Sequence, residues 1–303
     1  MAKKVKAKIK IVVVLGPTAG GKSDLAVKIA EKFNGEVVSA DSRQVYKGLN
    51  IGSGKITERE TRGVPHHLLN VASPKKTFTL ARFKKLAEKA IAEIIGRGKL
   101  PVVCGGTGLY IDTLIGGWMI PEVPPQPALR KKLERKTTDE LFVLLRRLDP
   151  RRAKVIDRHN RRRLVRALEI AITTGKAVPP LEKESRYDAL KIGVAFPPEE
   201  LKKRIRRRLR KRLKEGMIKE VKNLRRSGLS WRRLDDLGLE YRWISRCLRG
   251  LINRKEMEAT LEKEIIGYAK RQMTWFKRDK KIIWLGPAEI KKDKAFHLVR
   301  GFL

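Results

Sequence analysis

Residues 9–33 read IKIVVVLGPTAGGKSDLAVKIAEKF, and this stretch decides the fold. Ile9 to Leu15 is an apolar, β-branched run of the kind that forms a buried strand. Gly16-Pro17-Thr18-Ala19-Gly20-Gly21-Lys22-Ser23 then fits the pattern G-x-x-x-x-G-K-[ST]. Behind it, Asp24 to Phe33 carries Leu25, Ile29 and Phe33 at helical spacing. Strand, glycine loop and helix in that order turn a pattern match into a phosphate site. The glycines let successive backbone N–H groups point inward at an anion, and the helix N-terminus adds its positive dipole end. Lys22 then reaches a terminal phosphate and the Ser23 hydroxyl ligates Mg²⁺. The loop is expected to bind a diphosphate or a triphosphate.

Outward from the loop, strand and helix patterns alternate. Glu36 to Ala40 reads as a second strand ending at Asp41, Thr79 to Gly96 as an amphipathic helix, and Leu100 to Cys104 as a third strand followed by Gly105-Gly-Thr107. Lys191 to Phe196 and Lys281 to Leu285 return to strand character. The expected fold is α/β, a P-loop NTPase-like parallel sheet core with a helical insertion domain. Ligands of such sheets bind beyond the C-terminal strand ends, where Gly16, Asp41 and Thr107 fall together. Pro121 to Pro127 and Gly175 to Pro180 read as linkers around helical patterns at 128–135, 138–148 and 161–174, the last N-capped by Asn160. This gives a core first part at 1–120, an insertion at 121–188, and a core second part at 189–303.

The chain of 303 residues holds 72 Lys plus Arg against 33 Asp plus Glu, a formal charge of +39. Such an excess repels itself in a compact state and points to a polyanionic partner. It concentrates at 199–230, where 14 basic residues face 4 acidic ones and Leu201, Ile205, Leu209 and Leu213 form a narrow apolar stripe. Cys104 and Cys247 are too few for a disulfide framework, which suits a reducing cytoplasm. The basic Met1 to Lys10 leads straight into the strand without a signal-peptide core, and no segment is long enough to span a membrane. A cytoplasmic monomer without membrane contact is the expectation.

Asp41 is the one strand-end carboxylate near the phosphate loop, since Leu100 to Cys104 ends in glycines rather than in an acidic residue that would hold Mg²⁺ in an ATPase. By position it is a general base, an outer ligand of a metal, or a helix cap.

Further motifs carry a family resemblance. Val38-Ser-Ala-Asp41-Ser42-Arg43-Gln44-Val-Tyr-Lys-Gly48, Pro65-His-His-Leu-Leu-Asn70, Gly105-Gly-Thr107-Gly-Leu-Tyr110, Arg163-Leu164-Val165-Arg166-Ala-Leu-Glu169 and Tyr268-Ala-Lys-Arg-Gln-Met-Thr-Trp-Phe276 closely resemble the tRNA dimethylallyltransferases, also called tRNA isopentenyltransferases. Their order and spacing hold from about residue 9 to 285. The resemblance implies transfer of a dimethylallyl group from dimethylallyl diphosphate to the exocyclic amine of adenosine at tRNA position 37. It implies that Thr18, Lys22 and Ser23 hold the diphosphate with Mg²⁺ on Ser23, that Asp41 takes the proton, and that Thr107 orients groups in the channel. Among Arg204, Arg206, Arg207, Arg208 and Arg210, it points to Arg208 as the arginine on the leaving group. For the tRNA anticodon stem-loop it implies Asp41, Ser42, Arg43, Gln44, Thr107, Arg162, Arg163, Leu164, Val165, Arg166, Tyr241 and Arg242. Leu237-Gly-Leu-Glu-Tyr241-Arg242 departs from the commoner Gly-Tyr-Arg form of the family.

Three other readings compete: a small-molecule kinase, a prenyltransferase of free adenine nucleotides, and a non-catalytic RNA-binding protein. The first two leave the basic insertion without a task, and the third leaves Lys22, Ser23 and Asp41 intact for no reason. His66-His67 reads as structural or RNA-facing rather than a metal pair, because adjacent strand residues face opposite ways. Gly52-Ser-Gly-Lys55 reads as a turn, lacking a strand before it. Trp275 and Phe276 suit core packing at least as well as base stacking.

Overall fold

The computed structural model describes residues 8–118, 120–121, 123–179 and 185–303. Met1 to Ala7, Glu122 in the first expected linker and Pro180 in the second lie outside that set. Two compact units divide the chain: Met1–Gly117 with Glu184–Leu303, and Trp118–Lys183.

The larger unit is built on β1 (Ile9–Leu15), α1 (Lys22–Lys32), β2 (Gly35–Ser39), α2 (Glu58–Thr61), β3 (His66–His67), α3 (Leu80–Gly96), β4 (Leu100–Gly105) and α4 (Gly108–Ile115). The smaller unit holds α5 (Pro127–Leu133), α6 (Thr138–Leu148), α7 (Pro150–Val155) and α8 (Arg161–Thr174). The larger unit resumes with β5 (Tyr187–Val194), α9 (Pro198–Lys214), α10 (Met217–Arg226), α11 (Trp231–Leu237), α12 (Leu239–Leu248), α13 (Arg254–Phe276), β6 (Ile283–Leu285), α14 (Pro287–Lys291) and α15 (Lys294–Phe302).

Six parallel strands lie in the order β3-β2-β4-β1-β5-β6. The sheet is covered on both faces, which explains why β1 is apolar without alternation. Ile11, Val13 and Leu15 enter the layer with Phe83 of α3, Ile205 of α9 and Leu261 and Ile265 of α13. Val12 and Val14 point the other way, onto Leu25 and Ile29 of α1 and Val299 of α15. Because β1 sits centrally between β4 and β5, the glycine loop leaves the middle of the sheet's C-terminal edge.

The boundary of the insertion moves. β5 begins at Tyr187, inside the segment expected to be helical insertion, because Tyr187 already registers with Ile9 of β1. After the buried Tyr187, Asp188 to Leu190 are exposed or half-exposed, so the strand pattern becomes legible only at Lys191.

The smaller unit has a core of its own: Leu133, Leu141, Leu145, Leu164 and Leu168. Asn160 caps α8 as expected, accepting from the Arg163 N–H at 3.2 Å. On the inner face of α8, the fully buried Glu169 accepts from Arg130 Nε and Nη2, each at 2.7 Å, from the Gln126 N–H at 2.7 Å, and from Arg166. Burial alone would raise its carboxyl; these donors outweigh that and bring it down to about 2.

Among the described residues no helix is long and apolar enough to cross a membrane.

Candidate active site

The glycine loop places its donors as its sequence requires. Gly21 caps α1 with φ 81°, a left-handed conformation that a side chain would oppose. Gly20 N–H turns back to Pro17 O at 3.2 Å. The N–H groups of Ala19, Gly21, Lys22 and Ser23 have no acceptor among the described residues, so they form an anion cradle at the α1 N-terminus. The Thr18 N–H is given to Gln272 Oε1 at 2.8 Å, which leaves its hydroxyl as its donor for a ligand.

A cavity of about 340 Å³ opens on this loop, lined by Gly21, Lys22, Ser23, Gly54, Arg204 and Arg208 among others. Lys22 Nζ donates to Pro17 O at 2.6 Å. Burial lowers its ammonium to about 8, Arg208 pushes the same way, and Cys104 and Asp41 oppose. Beneath it, burial pushes the Cys104 thiol up to about 11, so this cysteine is no nucleophile. Both cysteines are free.

Of the arginines on α9, two face the cavity, four residues and about one turn apart. Arg208 donates to Gly54 O at 3.3 Å, and burial, then Arg212, lowers it to about 10, still charged at neutral pH. Arg204 donates to Ala19 O at 2.9 Å and lies over the Phe196 ring. The sequence singled out Arg208 and passed over Arg204; its i, i+4 relation to Arg208 was the available signal. Arg206 is instead engaged with Glu262, and Arg207 and Arg210 line a separate basic groove.

Asp41 follows β2 and caps the turn after it, not a helix. Its Oδ1 accepts from Arg43 N at 2.8 Å and Gln44 N at 3.2 Å, a cap on the turn that follows. Its Oδ2 has no hydrogen-bond donor among the described residues. Thr107 Oγ1 accepts from Ser42 N at 3.1 Å, which ties the loop after β4 to the loop after β2. The Tyr268 phenol faces Thr107; burial first, and Asp41 after it, raise its pKa, so it stays protonated. Arg43 donates through Nε to Leu237 O at 2.6 Å, and Gln44 Nε2 to Gly54 O at 3.3 Å. Arg242 donates to Asp235 O at 3.0 Å.

Three of the expected RNA-contacting side chains are inside the protein. Leu164 and Val165 are 0% and 7% exposed, packed in the core of the smaller unit, because their places on α8 face that core. Tyr241 is 1% exposed and donates to Glu220 Oε1. Arg166 is half-buried and spends its donors on Glu169 and on Val123 O at 2.9 Å. Arg162 and Arg163 are exposed, so the basic surface of α8 rests on them.

The bland readings hold elsewhere. His67 pairs with Glu36 at 2.7 Å and His66 with Val64 O. Gly52 to Lys55 is a turn whose Lys55 is buried on Tyr46 O, Asn50 and Asn70. Phe276 is buried and Trp275 donates to Asp112 at 2.8 Å. Glu240, in the stretch that departs from the commoner form, is buried and paired with Arg212 at 3.1 Å.

No cluster of three His, Cys, Asp or Glu side chains that could hold a metal exists among the described residues. Ser23 lines the cavity beside Lys22, a single oxygen donor of the kind that a cation held mainly by a diphosphate and water would accept.

Comparison with known proteins agrees with this geometry. The sequence model of the IPP transferase family matches residues 44–279, and that of isopentenyl transferases matches 9–73. The tRNA dimethylallyltransferase of Anoxybacillus flavithermus is 40% identical over 302 residues, covering 96% of each chain. That of Thermomicrobium roseum is 40% identical over 280 residues, covering 90% of this chain and 85% of its own. The tRNA isopentenylpyrophosphate transferase of Bacillus halodurans superposes with a TM-score of 0.74 at 35% identity, over 97% of both chains. A eukaryotic dimethylallyltransferase, solved acting on tRNA, superposes at 0.79 with 28% identity, over 92% of this chain and 74% of that one. With a family match over most of its length and relatives about 40% identical over nearly the whole chain, the chain belongs to the tRNA dimethylallyltransferase family.

Proposed function

We propose that this enzyme transfers a dimethylallyl group from dimethylallyl diphosphate to the exocyclic amine of adenosine at position 37 of tRNA. One observation carries the reading: a phosphate cradle lined by Lys22, Arg204 and Arg208 lies within electrostatic reach of a strand-end carboxylate, Asp41, that has one oxygen committed and one uncommitted.

The adenine amine is a poor nucleophile, because its lone pair is delocalised into the ring. Displacement at the allylic carbon therefore leans on stabilising the leaving group. As nitrogen bonds to that carbon, the carbon–oxygen bond breaks and its electron pair leaves with the diphosphate. Lys22, Arg204, Arg208 and the cradle N–H groups hold the departing charge. Asp41, fixed by its bonds to Arg43 N and Gln44 N, accepts the proton that the amine loses through its uncommitted oxygen. Thr107, tethered to Ser42 N, holds the facing wall of the acceptor side. Ser23 would hold Mg²⁺, which neutralises further charge on the diphosphate when bound.

Adenine stacked on its neighbours cannot bring its amine to both Asp41 and the donor, so the target base is flipped. Arg43, Gln44 and Arg242 lie on the acceptor side, and the exposed Arg162 and Arg163 neutralise phosphates of the anticodon stem-loop. The enzyme works as a monomer in the cytoplasm, where its substrate resides.

Pyrophosphate release tests this reading. Release should require dimethylallyl diphosphate and an adenosine-containing stem-loop together. Phosphate transfer from ATP, with no release from the prenyl donor, would overturn it in favour of a kinase.

A further inference from the structure

The one polar side chain in the buried stripe of α13 joins the two halves of the site. Met257, Leu261, Ile265, Ala269, Gln272 and Phe276 form that stripe, and Gln272 is 6% exposed. Its Oε1 accepts from Thr18 N at 2.8 Å, in the donor loop. Its Nε2 donates to Gly106 O at 2.8 Å, in the loop that carries Thr107. The amide thus spans two loops that share no other side-chain bridge of this kind among the described residues, one holding diphosphate and one facing the acceptor. The orientation of the amide is fixed, since one end meets a donor and the other an acceptor.

The packing around it is equally specific. A Cβ at Gly106 would lie 2.3 Å from Gln272 Nε2, and one at Gly108 would lie 2.2 Å from Trp275 of the same helix. Glycine at both positions is what lets α13 come this close. Trp275 is itself anchored to Asp112 at 2.8 Å, and Tyr268 faces Thr107. Three residues on one face of α13 therefore hold the loop after β4 and the start of α4, and Gln272 carries that contact on to the donor loop.

We propose that Gln272 is a positioning residue for transfer: it sets the spacing between the diphosphate loop and the Thr107 loop, and hence between the allylic carbon and the attacking amine. The inference rests on the transfer reading above. Gln272 touches neither substrate in this role. It acts through the backbone of Thr18 and Gly106, so its loss slows chemistry while each substrate still binds. A displacement of about 1 Å between reacting groups is enough to lower a rate by roughly 10²-fold.

Two variants test it by different routes. Gln272→Met keeps the volume and removes both hydrogen bonds. Gly106→Ala keeps Gln272 and displaces its amide; the nearest atom to the new methyl is the mobile end of that side chain, while Gly16 O stays at an ordinary 3.6 Å. Each folded variant should transfer about 10²-fold more slowly in single turnover at saturating substrates, with donor and stem-loop affinities within about threefold of wild type. Gln272→Glu should regain rate relative to wild type as pH falls, because a protonated carboxyl again donates to Gly106 O. Wild-type rates in folded Gln272→Met or in Gly106→Ala would overturn the proposal, as would a rate loss matched by an equal loss of donor affinity. A wild-type protein inactive with dimethylallyl diphosphate and RNA would instead overturn the transfer reading, and the positioning role with it.

Discussion

At the foot of the donor loop, the half-buried Lys22 donates to the Pro17 carbonyl. Burial therefore lowers its ammonium to about 8 before any ligand arrives. A bound diphosphate favours the charged form and raises that value, so binding is linked to proton uptake. The sign follows: below about 8 the charge is already present, and as pH rises through that value the free protein loses it and affinity falls. Calorimetry at pH 8 in buffers of different ionisation enthalpy should find uptake of roughly half a proton per donor bound, absent in Lys22→Ala. No uptake in the wild type would place the ammonium away from the diphosphate. Asp41 permits a cleaner substitution. Asn at this position still accepts from Arg43 N and Gln44 N through its carbonyl, so the turn survives and only the base is lost. Asp41→Asn should slow single-turnover transfer by about 10²–10⁴-fold with stem-loop affinity little changed. Full activity would reduce Asp41 to its capping role.

Helices differ in how openly their sequences declare what they do. α8 was readable from Asn160 to Thr174, because a cap and a 3.6-residue period are local properties. Its motif Arg163-Leu-Val-Arg166 was misleading at side-chain level. Family position alone does not separate exposed side chains from those that hold the helix in place; Leu164 and Val165 pack in the core and Arg166 pairs with Glu169. On α9 the arginines were visible but their directions were not, so Arg204 was missed beside Arg208. On α13 a glutamine in an apolar stripe was the signal for Gln272, legible only once its partners in distant loops were known. Glu169 gives this scale its own test. Its carboxyl lies near 2 folded against about 4.5 unfolded, so its contribution is full above 4.5 and fades as pH falls toward 2. Glu169→Ala leaves Arg130 and Arg166 without their shared partner and should destabilise the smaller unit by about 3 kcal/mol, the low end for a buried pair because both arginines partly face water. Hydrogen exchange of peptides from 126–174 in the full-length protein would measure it. Unchanged protection would mean that the apolar core alone holds this unit.

For the whole molecule, the parallel sheet and its glycine loop were legible because strand, loop and helix adjoin in sequence. The end of the insertion was not, because Tyr187 to Leu190 of β5, only the first of them buried, owe their strand state to pairing with β1. A charge of +39 on 303 residues implies that RNA binding is largely electrostatic. With about six to ten phosphate contacts, tRNA affinity should fall roughly 10³–10⁵-fold between 50 and 200 mM salt. Replacing 128–174 by a short Gly/Ser linker removes Arg162 and Arg163 with their helix but no residue of the donor cradle. The truncated protein should bind dimethylallyl diphosphate as before, bind the stem-loop more weakly, and show a shallower salt slope. Lost donor binding would make the smaller unit part of the catalytic core. The central claim, however, is prenyl transfer to tRNA adenosine, and nucleoside mass spectrometry tests it most directly. After incubation of unmodified tRNA with the protein, Mg²⁺ and dimethylallyl diphosphate, one adenosine should be heavier by C5H8, attached at the exocyclic amine, and the product should be nearly absent with Lys22→Ala. Unmodified adenosine from the active, folded wild-type protein would contradict the account.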